Sequence, residues 1–159
     1  HPDWLFDNWE QLAEGGKSPA EGCMQVLKKC MKHPSAYPFN TPVDVVALKI
    51  PHYTKIISCP MDLGTVKTKL ENKEYRTLRP FVNDVRLTFL NAKEFNPVKH
   101  PVNTMACSLL NMFDKEMRFL LSKWQQLVPK GQDLFSLVLE SGKDDTEDEK
   151  KEGGGEERA

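Results

Sequence analysis

The stretch that decides the fold runs from residue 77 to residue 127 and reads TLRPFVNDVRLTFLNAKEFN (77–96), PVKH (97–100) and PVNTMACSLLNMFDKEMRFLLSKWQQL (101–127). Apolar residues recur at intervals of three and four in the first and third parts, which is the period of one helix face. Asn96-Pro97 and Pro101 interrupt this pattern, because proline is not tolerated in a helix interior. We therefore predict two amphipathic helices joined by a short loop. The predicted inward positions are Phe81, Val85, Phe89, Ala92, Val102, Met105, Ala106, Leu109, Leu110, Phe113, Met117, Leu120, Trp124 and Leu127.

Two further helices are predicted upstream. Ser18-Pro19-Ala20-Glu21 combines an N-cap serine, a proline at the first helical position and a glutamate that completes a capping box. Helical spacing then continues to a stop at His33-Pro34. Asp62 is placed to cap a helix with Leu63, Val66 and Leu70 inward. Four helices with almost no strand pattern predict an all-α bundle.

The segment between the first two helices is a long loop with an unusual composition. It carries five prolines, which forbid a long helix. These are Pro34, Pro38, Pro42, Pro51 and Pro60. The loop also holds apolar and aromatic residues, and loops of this length in compact domains are usually functional. We expect it to pack on the bundle or to line a site.

Composition excludes several classes of protein. The chain has 159 residues, 39% of them hydrophobic and 28% charged, and a net charge of −1. A membrane span is not predicted, because no apolar run approaches the roughly 20 residues that a bilayer requires. Direct nucleic-acid binding is not expected from such a charge balance. The four cysteines form no C-x-x-C pair, which favours a reducing, intracellular location over disulfides or zinc.

We divide the chain into four parts. Residues 1–17 are a flanking segment, 18–128 form the domain, 129–140 are a C-terminal extension, and 141–159 are a tail with eight acidic and four basic side chains. The tail lacks large apolar residues and is expected to be disordered. The start His-Pro-Asp-Trp, without an initiator methionine or signal pattern, suggests a piece of a longer protein.

Catalysis has no support in the sequence. There is no G-x-S-x-G, H-E-x-x-H, Walker or G-x-G-x-x-G motif, and the four histidines are scattered. We therefore expect no enzyme, no cofactor and no metal site. A metal site formed by His52 or His100 with Cys59 is much less favoured than the interpretation of these side chains as solvated loop residues.

Asn96 has two interpretations. It ends a helix, as asparagine before proline often does, or it places an amide at the mouth of an apolar slot between two loops.

The motifs together resemble the bromodomain family, and their spacing is most similar to the BET-type members. The residues that carry the resemblance are Tyr37-Pro38-Phe39, Pro42-Val43-Asp44, Leu48, Pro51-His52-Tyr53, Pro60 to Val66, Phe89, Asn91, Phe95-Asn96 and Val102. The resemblance implies a left-handed four-helix bundle of helices Z, A, B and C, with a long Z-A loop and a short B-C loop. It further implies that acetylated lysine is bound between these loops.

The resemblance also implies roles for individual residues. Asn96 would donate to the acetyl carbonyl, and Tyr53 would reach the same oxygen through an ordered water. Apolar walls would come from Phe39, Val43, Leu48, Ile50, Phe95 and Val102, with Tyr37 and Pro38 as an outer shelf. The sequence departs from the family pattern at Tyr37, where tryptophan is usual, and at Thr54, Ala92 and Phe95, where Tyr, Cys and Tyr are usual. Lys99, His100 and Pro101 replace the acidic residues common in the B-C loop.

The implied partners are acetylated histone tails or other acetylated nuclear proteins, bound by a monomeric module in the nucleus. Two other classes are compatible with an α-helical bundle. A purely structural bundle would bind nothing acetylated. A scaffold that docks partner helices would use a hydrophobic groove in place of an acetyl pocket.

Overall fold

The computed structural model describes residues 18–127 and 133–140, so the flanking segment 1–17 and the tail 141–159 lie outside the described residues. The described parts are helical and contain no strand. The helices are α1 (Pro19–Met31), α2 (Tyr53–Ile56), α3 (Leu63–Glu71), α4 (Leu78–Phe95) and α5 (Pro101–Trp124). Short turns of 3₁₀ helix at Tyr37–Phe39 and Gln125–Leu127 and a π-helical turn at Ser136–Glu140 complete the elements.

Helix α5 packs against α4 and α1, and α3 packs against α1 and α4. These four helices form the bundle that the apolar periodicity predicts, and α2 is a single turn inside the long loop. Fully buried side chains from all four helices form one core, and they include Leu27, Leu63, Phe81, Phe89 and Phe113. Within the described residues, no helix combines the length and apolar character needed to cross a membrane.

The helix ends follow the predicted capping signals. The Ser18 side chain accepts a hydrogen bond from the Glu21 backbone N–H at 3.2 Å, and Asp62 Oδ2 accepts one from the Thr65 N–H at 3.0 Å. Helix α4 starts after Thr77 and ends at Phe95, and α5 starts at Pro101. The four helix starts are thus confirmed. Those of α1 and α3 have the predicted side-chain caps, that of α5 has the predicted proline, and Thr77 makes no side-chain cap hydrogen bond.

Charged and polar pairs tie neighbouring helices together. Arg86 of α4 pairs with Asp114 of α5, and Lys29 of α1 pairs with Glu116 of α5 at 2.6 Å. Asp84 of α4 accepts hydrogen bonds from Lys69 Nζ at 2.8 Å. The same carboxylate also accepts a hydrogen bond from the Tyr75 hydroxyl at 2.6 Å.

Backbone contacts help to hold the long loop, residues 32–62, against the bundle. Asn91 Nδ2 of α4 donates to the Cys59 carbonyl at 2.8 Å, and Asn40 Nδ2 donates to the Met31 carbonyl at 3.0 Å. The loop backbone also lies close to Gly64, where a Cβ atom would be 2.5 Å from the Asn40 carbonyl oxygen. The loop is therefore anchored at both ends of its path, on α1 and on α3 and α4.

Residues 133–140, within the expected extension 129–140, also contact the bundle. Leu134, Val138 and Leu139 are buried and belong to the same core as the four helices. The π-helical turn packs on α4, and the Phe135 ring lies under the Arg118 guanidinium, 5.9 Å from it. This segment therefore adds apolar burial to the fold.

Candidate functional site

The candidate site lies where the long loop meets the C-terminal end of α4 and the short loop, residues 96–100. Helix α2 brings the loop to this end, because both His52 and Tyr53 contact the ring of Phe95, the last residue of α4. Asn96 follows directly in the chain. The structure therefore brings Tyr53, Phe95 and Asn96 together, although Tyr53 and Asn96 are far apart in sequence.

Asn96 is held by hydrogen bonds at three of its backbone and side-chain groups. Its backbone N–H and its Nδ2 both donate to the Ala92 carbonyl, each at 3.0 Å. Its own carbonyl accepts from Asn103 Nδ2 at 2.8 Å, and Asn103 also binds the Lys93 carbonyl. An amide nitrogen carries two hydrogens, so one remains for a ligand, together with Oδ1. Asn96 therefore ends the helix, and its second Nδ2 hydrogen and its Oδ1 atom are still available for a ligand.

Tyr53 is a buried residue, only 5% exposed, although it belongs to a loop. Its ring meets the Phe95 ring edge to face, with 4.8 Å between centroids. Burial raises the pKa of the Tyr53 phenol, because the charged form would lose hydration. The hydroxyl therefore remains a neutral group that can donate a hydrogen bond.

His52 is a contact that sequence reasoning missed. Its imidazole is stacked on the Phe95 ring with 5.4 Å between centroids and 30° between planes. Phe95 therefore contacts two rings of the long loop, those of His52 and Tyr53, and this packing helps to fix the residue before Asn96. The sequence predicts His52 as a solvated loop residue, and only its place beside Tyr53 in the run Pro51-His52-Tyr53 could have indicated this contact.

The 3₁₀ turn at Tyr37–Phe39 separates the predicted shelf from the predicted wall. Tyr37 is 69% exposed and Pro38 is half-buried, whereas Phe39 is buried. The Phe39 ring packs edge to face on Phe89 of α4 with 5.3 Å between centroids. Phe39 is therefore a core residue as well as a predicted pocket wall.

The other predicted wall residues differ in exposure. Val43, Ile50 and Val102 are half-buried, and Leu48 is 61% exposed. Val102 lies in the first turn of α5, whose N-cap is His100: the His100 Nδ1 atom accepts a hydrogen bond from the Val102 N–H at 3.1 Å. The cap role of His100 was not predicted, because histidine is not a common N-cap residue.

A cavity of about 220 Å³ lies between the long loop and the start of α3. It is lined by Pro42, Val43, Pro60, Met61, Asp62 and Thr65. Val43, which is predicted to line the acetyl-lysine pocket, also lines this cavity. Asp62 is predicted from the sequence only as a helix cap, because no local pattern indicates that it also lines a cavity.

The groups that meet at the candidate site suit hydrogen bonding and apolar contact with a ligand. It combines an asparagine amide, a neutral phenol and aromatic rings. Among the residues that the structure describes, no group of three or more His, Cys, Asp or Glu side chains is placed to hold a metal ion. The four cysteines are free, and Cys59 is exposed.

Comparison with known proteins gives the class of the protein. The bromodomain family model matches residues 23–108, which is more than half of the chain. The chain therefore belongs to the bromodomain family, a class of reader modules. This confirms the resemblance and the four-helix bundle that it implies.

Individual relatives and a solved structure agree with this class. The chain is 46% identical over 129 residues to Transcription factor GTE3, chloroplastic, of Arabidopsis thaliana, covering 77% of this chain and 28% of that protein. It is 47% identical over 97 residues to Bromodomain-containing factor 1 of Candida albicans, covering 59% and 13%. The solved second bromodomain of Candida albicans Bdf1, bound to an imidazopyridine, is 44% identical with a TM-score of 0.59, covering 61% of this chain and 94% of that one. The chain thus spans less than a third of the length of these curated relatives.

Proposed function

We propose that this module binds acetylated lysine in a pocket between the long loop and the short loop. The bound lysine belongs to a histone tail or to another acetylated nuclear protein. The module acts as a monomer in the nucleus, and it recruits its parent protein to acetylated chromatin to regulate transcription. The transcription-factor names of the relatives support this setting.

The selectivity of such a pocket follows from the chemistry of acetylation. An unmodified lysine carries an ammonium, and burying an unpaired charge costs far more than burying an amide that has hydrogen-bond partners. Acetylation removes that charge. An apolar pocket with one amide and one phenol therefore accepts the acetylated side chain and excludes the free one.

Asn96 and Tyr53 have the donors that an acetyl carbonyl needs. The second Nδ2 hydrogen of Asn96 binds the carbonyl oxygen directly, and the Tyr53 hydroxyl reaches it through a water molecule. Asn96 Oδ1 accepts from the acetamide N–H, directly or through water. The observation that carries the proposal is the position of Asn96 next to the Phe95 ring that Tyr53 contacts.

The apolar walls complete the pocket. Phe39, Val43, Leu48, Ile50, Phe95 and Val102 surround the alkyl stem of the lysine, and Tyr37 with Pro38 forms the outer shelf. Tyr37 is 69% exposed, so its ring is available to a flanking peptide residue.

The affinity for a single mark is limited. An acetamide group has four non-hydrogen atoms, and at a ceiling of about −1.5 kcal/mol per atom it supplies at most about −6 kcal/mol, or a Kd of tens of micromolar. Recruitment of a parent protein therefore needs flanking contacts, a second mark or a second module.

The test is a titration of the chain with one histone-tail peptide in acetylated and unmodified forms. We expect micromolar binding of the acetylated form and no measurable binding of the other. Equal binding of both forms would favour a helix-docking scaffold, and binding of neither would favour a purely structural bundle.

A further inference from the structure

The cavity beside Val43 has the size of a single side chain. Its volume is about 220 Å³. Pockets for drug-sized ligands usually start near about 300 Å³. A cavity of this size accommodates one long side chain.

The lining is apolar except for one charged group and its partner. Pro42, Val43, Pro60 and Met61 provide hydrocarbon surface, and Asp62 is the single ionisable residue among those that line the cavity. A lysine or arginine side chain has the same two parts, an apolar stem and a charged head.

The Asp62 carboxylate has unused acceptor capacity. It is 4% exposed, and Thr65 gives it one hydrogen bond at each oxygen, from the backbone N–H at 3.0 Å and from Oγ1 at 2.5 Å. A carboxylate has about four lone-pair sites. Two of them therefore remain for a ligand.

The sign of the local charge favours a cation. The N-terminus of α3 contributes about half a positive charge, and Asp62 contributes a full negative one. The sum is negative, so an anionic group is disfavoured and an ammonium or guanidinium is favoured.

We propose that this cavity binds an unmodified lysine or arginine side chain that flanks the acetyl-lysine in the same peptide. The proposal rests on the proposed function, because Val43 borders both the cavity and the proposed acetyl-lysine pocket. The stem packs on the prolines, Val43 and Met61, and the cationic head binds Asp62. A buried cation is tolerated when it is paired in this way. The site thus reads a free basic residue beside an acetylated one.

The experiment uses peptides with one acetyl-lysine in which each flanking position carries in turn lysine or norleucine, which has the stem without the charge. We expect one position at which lysine improves the affinity about tenfold over norleucine. Asp62→Asn should reduce this ratio to near one, since asparagine still caps α3 but lacks the charge. Thr65→Lys is a second variant. Its own ammonium should pair with Asp62 in place of the peptide lysine, so the ratio of lysine to norleucine affinity should again fall to near one.

Asp44→Asn is the matched control. Asp44 lies next to Val43, and its Oδ1 accepts from the backbone N–H groups of Val46 and Ala47, but it does not line the cavity. This variant should keep the tenfold ratio. The inference is overturned if no position prefers lysine, if both cavity variants keep the preference, or if Asp44→Asn loses it equally. If the inference is overturned but acetylated peptides with norleucine still bind, the proposed acetyl-lysine function is retained. If no acetylated peptide binds, both the proposed function and this inference are wrong.

Discussion

The ring of Tyr53 meets the ring of Phe95 edge to face at 4.8 Å, and this contact sets the long loop against the end of α4 one residue before Asn96. The two polar groups proposed for the acetyl carbonyl are thus positioned by apolar packing. His52 stacks on the same Phe95 ring at 5.4 Å. Substitutions that keep these rings and remove polar groups should therefore weaken binding while the fold stays in place.

Asn96→Ala should weaken binding of an acetylated peptide by about 1 to 3 kcal/mol, roughly 5- to 150-fold, because the ligand carbonyl loses its donor. It should also lower the free energy of unfolding by about 0.5 to 1.5 kcal/mol, because Nδ2 no longer binds the Ala92 carbonyl. Calorimetric titration and urea unfolding on one preparation measure both effects. Asn83→Ala, an exposed asparagine of the same helix, is the control and should change neither. Unchanged peptide affinity in Asn96→Ala would leave helix termination as its only role.

Tyr53→Phe should keep the contact with Phe95 and remove only the hydroxyl. We expect the free energy of unfolding to change by less than about 0.5 kcal/mol, while acetyl-peptide affinity falls by about 0.5 to 1.5 kcal/mol with the loss of a water-mediated bond. Fluorescence anisotropy with a labelled acetyl peptide measures the affinity. Tyr37→Phe removes a hydroxyl from the exposed shelf and should have little effect. Equal losses in the two variants would argue against a specific role for the Tyr53 hydroxyl.

The parts of the fold that the sequence predicted depend on neighbours in the chain. Ser18, Asp62 and Pro101 mark helix starts because a cap or a fixed φ acts within one turn. The apolar period similarly predicts which face of α4 and α5 is buried, and Phe81 and Phe113 are fully buried as expected.

The missed features join residues that are distant in sequence. The hydrogen bond from Asn91 to the Cys59 carbonyl and the burial of Leu134 in the core depend on how the loop and the C-terminal segment pack. The cavity beside Asp62 exists because Pro42 and Val43 lie across from Pro60 and Met61. No local pattern specifies these contacts, so the motif resemblance predicts an acetyl-lysine pocket but does not predict the cavity that Val43 lines.

The buried thiols of α1 predict how stability depends on pH in the alkaline range. Burial raises the pKa of Cys30 from 9.0 to about 11 and also raises that of Cys23. Above pH 9 the unfolded chain releases these protons while the folded chain keeps them, so the free energy of unfolding falls as pH rises. The loss should reach at most about 1.4 kcal/mol per pH unit for each thiol.

Urea unfolding under reducing conditions between pH 8 and 11 measures this slope. The double variant Cys23→Ala, Cys30→Ala should be less stable at pH 8, because it leaves cavities in the core. Its stability should then stay level until tyrosines begin to ionise in the unfolded chain near pH 10. An equal decline between pH 9 and 10 in both proteins would show that other groups cause it.

Gly64→Ala should lower the free energy of unfolding and weaken acetyl-peptide binding together. The added Cβ would lie 2.5 Å from the Asn40 backbone carbonyl oxygen, and backbone cannot rotate away as a side-chain end can. Overpacking costs about 1 to 3 kcal/mol, which exceeds the gain of up to about 1 kcal/mol from replacing glycine by alanine in a helix. The loop must shift at Asn40, and Phe39 and Val43 move with it, so the pocket walls are displaced.

Gly22→Ala is the matched control for this substitution. Its Cβ would meet the Leu120 side chain at 3.0 Å and the Trp124 ring at 3.2 Å. The end of the leucine side chain can give way by a few tenths of an ångström, so the small strain is offset by the gain in helix propensity. We expect its free energy of unfolding to stay within about 1 kcal/mol of the parent chain, with unchanged peptide affinity because α1 does not reach the pocket. If Gly64→Ala weakened binding no more than Gly22→Ala in parallel titrations, the close approach of the long loop to α3 would not control the pocket.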